Sequence, residues 1–139
     1  MEDDAEIIED NYKNILDIPS ECDILYLGGA THANPYFINE DEDMILNFTE
    51  GARNSRLAFK NINEDYVRIY NMFCAHAIIF LTEKGRVEFL SAIEQYKNYP
   101  FDIIFSQIMP NLNVYMLRNT FFYQNDGHNE QSTKDIFRK

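Results

Sequence analysis

Asp23-Ile24-Leu25-Tyr26-Leu27-Gly28-Gly29 is a short apolar run closed by two glycines. That pattern fits a buried strand ending in a tight turn, and glycine at its end lets the backbone turn or come close to a ligand. Upstream, Ile8, Tyr12, Ile15 and Leu16 recur at helical spacing and stop at Asp17-Ile18-Pro19, which predicts an amphipathic helix over residues 5–16. Ahead of it stands Met1-Glu2-Asp3-Asp4, an acidic triplet of the kind that elsewhere closes a buried strand. The expectation is a chain that begins mid-fold.

Downstream, residues 30–65 are polar, carry the run Glu40-Asp41-Glu42-Asp43 and show no sustained period. They read as a long excursion with room for a short helix or hairpin. Residues 66–70 alternate as a short strand does, and 72–81 form a second buried run containing Ala75-His76-Ala77-Ile78-Ile79-Phe80. Thr82 is placed to cap a following helix whose apolar stripe is Val87, Leu90, Ile93 and Tyr96, and Pro100 ends it. Phe101-Asp102-Ile103-Ile104-Phe105 begins another short helix. Residues 113–117 and 121–124 read as strands, and 125–139 as a loosely held tail. Strands and helices alternate, so the class is α/β, in a single domain over 1–139.

The chain has 139 residues, 45% of them hydrophobic, with 11 Phe and 9 Tyr, which is enough to bury a core and too aromatic for an acidic disordered tail. A formal charge of -11 argues against binding nucleic acid through its phosphates and suits cationic partners or a metal. No stretch approaches the roughly 20 apolar residues of a membrane span, and no charged segment precedes an apolar one at the start. A soluble, cytoplasmic protein is expected. Cys22 and Cys74 lack metal-site spacing and read as free thiols in a reducing compartment.

The order of these motifs resembles glycosyltransferase family 25. The resemblance covers nearly the whole chain: Glu2-Asp3-Asp4-Ala5, Asp23 through Gly29, His76-Ala77-Ile78-Ile79 with Lys84-Gly85, Pro100-Phe101-Asp102, then Gln124 and Ser132. It implies a partial GT-A fold, a Rossmann-like mixed sheet with flanking helices whose N-terminal nucleotide-binding strands are missing. The aromatic residue usual two positions after the family histidine is Ile78 here.

By that resemblance Asp3 and Asp4 hold a divalent ion, manganese or magnesium, on the diphosphate of a nucleotide sugar. Oxygen ligands suit such a hard cation, and a cation neutralises the charge of the leaving diphosphate. From the residues alone, the same carboxylates equally favour the positive end of a following helix. Asp102 is implied as the catalytic base toward the acceptor hydroxyl, with helix capping as the competing role. His76, Gly28, Gly29 and Gln124 are implied as donor or acceptor contacts. On their own they also fit a core histidine, two turn residues and a strand end.

Two functions follow. One is hexosyl transfer from a nucleotide sugar, a uridine diphosphate sugar, to a hydroxyl acceptor on a glycan or hydroxylysine, by a truncated or split form of the enzyme. A complementing N-terminal half or an oligomer is then the expected partner. The other is a noncatalytic remnant that serves as an interaction or scaffold module.

Overall fold

The run around Tyr26 becomes a strand with both faces covered, and the rest of the molecule is arranged about it. The computed structural model describes residues 5–7, 17–28, 44–50, 53–73, 77–120 and 122–124. In chain order these form β1 (Ala5–Ile7), β2 (Ile24–Gly28), β3 (Met44–Glu50), β4 (Arg53–Asn61), β5 (Tyr66–Ile69), β6 (Ala77–Phe80), α1 (Glu83–Gln95), α2 (Phe101–Ile108), a 3₁₀ turn (Met109–Asn111), β7 (Val114–Leu117) and β8 (Phe122–Gln124). The class is α/β, as the alternation predicts.

The described strands make one mixed sheet of eight, in the order β1-β8-β2-β7-β5-β4-β3, with β6 also paired to β2. β2 runs parallel to β7 and β8 and antiparallel to β6. Alternating residues divide the sheet into two faces. Ile24, Tyr26, Val67, Ile69, Val114 and Met116 join the helices in the main core. Cys22, Leu25, Tyr66, Tyr115 and Leu117 form a smaller cluster on the opposite face.

Both helices lie on the first face, locked by rings. Phe89 of α1 stacks on Phe105 of α2 with centroids 4.4 Å apart and planes 17° from parallel. Phe105 in turn meets Tyr26 edge-on at 6.0 Å. The stripe that α1 buries is Gly85, Phe89 and Ala92, with Ile93 and Tyr96 packed against it. The expected Val87 and Leu90 instead stand 51% and 64% exposed. Small residues explain the difference: a Cβ at Gly85 would lie 3.0 Å from the Asp23 carbonyl oxygen and 3.1 Å from Ile24 Cγ1. Only glycine lets the first turn of α1 come so close to β2, and that contact rotates the helix away from the face its bulky residues mark.

Two further expectations are corrected, and of the two possibilities open for the excursion the hairpin is the one found. Ala5–Ile7 is strand rather than the start of a helix, because β8, distant in sequence, supplies its hydrogen-bonding partner; residues 8–16 lie outside the described residues. The polar excursion contains a regular antiparallel hairpin, β3 with β4, that extends the sheet through β5. Only Leu57, Ala58 and Phe59 of β4 are buried among its described side chains, so its polar first half hides the period. Of the described residues of the run 72–81, Ala77–Phe80 form strand β6, paired to β2, and Ile79 is 39% exposed rather than buried. The tail 125–139 lies outside the described residues.

Candidate functional site

The two ends of β2 are built differently. At its amino end Asp23 is buried, and its carboxylate accepts from the Thr82 hydroxyl at 2.7 Å and from the Asn113 N–H at 2.9 Å. Its carbonyl accepts the Leu81 N–H at 2.9 Å. Thr82 is the N-cap of α1, as expected, taking the Gly85 N–H at 3.1 Å. One side chain thus ties together the starts of β2, α1 and β7. A buried carboxylate so fully bonded is a structural clamp. Gly85 of the pair Lys84-Gly85, part of the resemblance, packs closely on the start of β2, while Lys84 is exposed.

At the carboxyl end β2 meets both β6 and β8. Gly28, buried, pairs with Phe122 of β8 on one hand and with Ala77 of β6 on the other, across a register irregularity between Tyr26 and Gly28. Phe122 also pairs with Ile7, and Gln124 with Ala5. At about 3.3 Å per residue, the Gln124–Ala5 pair stands about 7 Å beyond Gly28. Four stretches singled out in the sequence therefore abut one place: Gly28, Gln124, the strand that follows His76 and the strand that follows Asp4. Asp3, Asp4, Gly29 and His76 themselves lie outside the described residues, as does the side chain of Gln124. Crevices at the carboxyl ends of parallel strands are where open α/β sheets bind ligands.

Asp102 lies on α2, which is tied to the Asp23 clamp through the 3₁₀ turn and Asn113 that follow it. The N-cap of α2 is Pro100, so Asp102 is not the capping residue. It sits in the first turn, half-buried, with Oδ1 accepting the Ile103 N–H at 2.8 Å. A carboxylate there is favoured by the positive end of the helix.

Beside that turn is a cleft of about 220 Å³ lined by Tyr96, Tyr99, Ile103, Ile104 and Gln107. Sequence reading placed Tyr96 in a core stripe and passed over Tyr99 and Gln107. The available signal was a pair of tyrosines three apart where a helix stops, the second of them 59% exposed.

The opposite face of the sheet holds the titratable groups most altered by the fold. Burial, foremost, pushes the Cys22 thiol from 9.0 up to about 12, and its Sγ–H donates to the Ile24 carbonyl at 3.2 Å. Tyr115 is pushed up to about 12 by burial and by its hydrogen bond to Glu21, 3.0 Å long. Burial also raises Tyr66. Cys22 is a free, protonated, inert thiol of the kind the sequence suggests; Cys74 lies outside the described residues.

Among the described residues no group of three or more His, Cys, Asp or Glu is placed to hold a metal ion. No helix among the described residues is long and apolar enough to cross a membrane. No family model matches the chain, and no curated protein or solved structure matches it either.

Proposed function

We propose that the chain is a truncated or split glycosyltransferase family 25-like protein of partial GT-A type, for transfer of a hexose from a uridine diphosphate sugar to a hydroxyl of a glycan or hydroxylysine. The observation that carries this reading is the register: Gly28 paired with both Phe122 and Ala77, and Gln124 paired with Ala5, at one end of the sheet. A chance scatter of motifs along the sequence has no reason to converge so.

In this reading Asp102 takes the proton of the acceptor hydroxyl as its oxygen attacks the anomeric carbon. The bond from that carbon to the diphosphate oxygen breaks, and the nucleoside diphosphate leaves. A manganese or magnesium ion on Asp3 and Asp4, when bound, would neutralise the diphosphate charge. Gly28 and Gly29 let the donor approach the backbone, and His76 and Gln124 offer hydrogen bonds to donor or acceptor. Calorimetric titration with uridine diphosphate tests it. Binding that requires manganese and disappears in Asp3→Ala with Asp4→Ala supports a transferase that works alone, whereas no binding with or without metal removes that form and leaves a half-enzyme or a noncatalytic remnant.

A noncatalytic interaction module is the second reading, and it has its own observation. Val87 and Leu90, three residues apart on one face of α1, are 51% and 64% exposed, and apolar surface left open on a helix offers a partner a place to dock. A monomer by sedimentation that binds uridine diphosphate speaks against this reading.

A further inference from the structure

The cleft at the helix turn has a shape and chemistry of its own. Tyr96 closes α1, its N–H donating to the Ala92 carbonyl at 2.8 Å, and the Tyr99 N–H donates to the Tyr96 carbonyl at 2.9 Å. The turn is therefore held by its own backbone, and the two rings stand 6.3 Å apart at 75°. They form two walls of a corner. Ile103 and Ile104 add further apolar surface, and Gln107, half-buried, supplies a carboxamide with both donor and acceptor.

We infer that this cleft binds one pyranose ring of a saccharide. A pyranose is amphiphilic: its axial C–H bonds make an apolar face that lies on an aromatic ring, and its hydroxyls need partners that both give and accept hydrogen bonds. Tyr96 and Tyr99 provide the rings, and Gln107 the polar partner. The volume, about 220 Å³, falls below the roughly 300 Å³ at which pockets for drug-sized ligands begin, and so suits a single ring. Among the described residues no lysine or arginine lines the cleft, so the lining offers a phosphate or nucleotide no cation there. A large aromatic such as Tyr99, 59% exposed on a well-bonded turn, is preorganised for contact at little entropic cost.

Asp102 precedes Ile103 in α2 but is not among the described side chains that line the cleft, and saccharide binding there does not rest on the transferase reading.

The test is a titration of the full chain, carrying ¹³C-labelled tyrosine, with methyl β-galactopyranoside, methyl α-glucopyranoside and methyl α-mannopyranoside, and with glycerol as a control. The Tyr96 and Tyr99 ring signals should shift and saturate with at least one pyranoside and stay still with glycerol. Tyr99→Ala should weaken that binding about tenfold, the loss of about 1.4 kcal/mol, while Tyr99→Phe retains it. Binding of uridine diphosphate with manganese should be the same in Tyr99→Ala as in the parent. Ring signals unmoved by all three pyranosides, or moved equally by glycerol, overturn the site. Pyranoside binding without nucleotide binding keeps the saccharide site and removes a transferase that works alone. Nucleotide binding with still rings does the reverse.

Discussion

The amino and carboxyl ends of β2 are separated by five residues and by opposite designs. At the amino end every polar atom of Asp23 is matched, to Thr82, Asn113 and Leu81, and glycine at position 85 lets a helix close over the top. At the carboxyl end the ladder is irregular, the strand finishes in glycine, and the stretches carrying the candidate chemistry gather around it. Stability is concentrated where the polar groups satisfy one another. Chemistry is expected where they are left to meet a ligand.

Substitutions at the clamp and at the proposed chemistry should therefore fail in different ways. The largest effect is expected at the assigned base: Asp102→Asn should lower hexosyl transfer by about 10²–10⁴-fold, the usual contribution of a general base, with the thermal midpoint and uridine diphosphate binding preserved. Full turnover in that variant would leave Asp102 as a first-turn carboxylate that only complements the helix dipole. At the amino end, Asp23→Ala strips the partners from Thr82 and the Asn113 N–H and should cost about 3 kcal/mol in urea unfolding. If nucleotide binding fell in proportion while stability held, the division between the ends would be broken.

Gly85→Ala sharpens the same contrast on a smaller scale. Its methyl would press on the Asp23 carbonyl and Ile24, so a loss of about 1–3 kcal/mol is expected, and a neutral result would show that α1 shifts freely. Thr82→Ala removes both the cap and a partner of Asp23 and should cost about 1 kcal/mol.

The smallest expected effect lies on the sheet's other face and appears only in alkali. Folding raises Cys22 from 9.0 to about 12, so the fold favours the protonated thiol. The stability this gives is fully present below pH 9 and is lost as pH rises toward 12. Urea midpoints should fall across that window, and less steeply in Cys22→Ala. An unchanged slope in that variant would pass the effect to Tyr115, whose hydroxyl is also pushed up to about 12.

Much of the frame was legible in the sequence because its signals are local. The apolar run closed by glycine gave β2, Thr82 gave the cap of α1, and Pro100 marked the boundary before α2. What escaped depends on partners far along the chain. Ala5–Ile7 is a strand only because β8 lies beside it, and no local spacing records that. The buried side of α1 was misread because Gly85 and Ala92 matter through their smallness, which an apolar count ignores. The saccharide cleft was missed for a similar reason: Gln107 joins Tyr96 and Tyr99 only when two helices fold back on each other.

The claim that the carboxyl end of β2 is the ligand-binding end is open to one direct measurement, the backbone amide shifts of the labelled chain on titration with uridine diphosphate and manganese. Shifts concentrated at Gly28, Ala77 and Phe122–Gln124, with Asp23, Thr82 and Asn113 still, are the predicted result. Saturable shifts centred on the Asp23 clamp, or none anywhere, would contradict it.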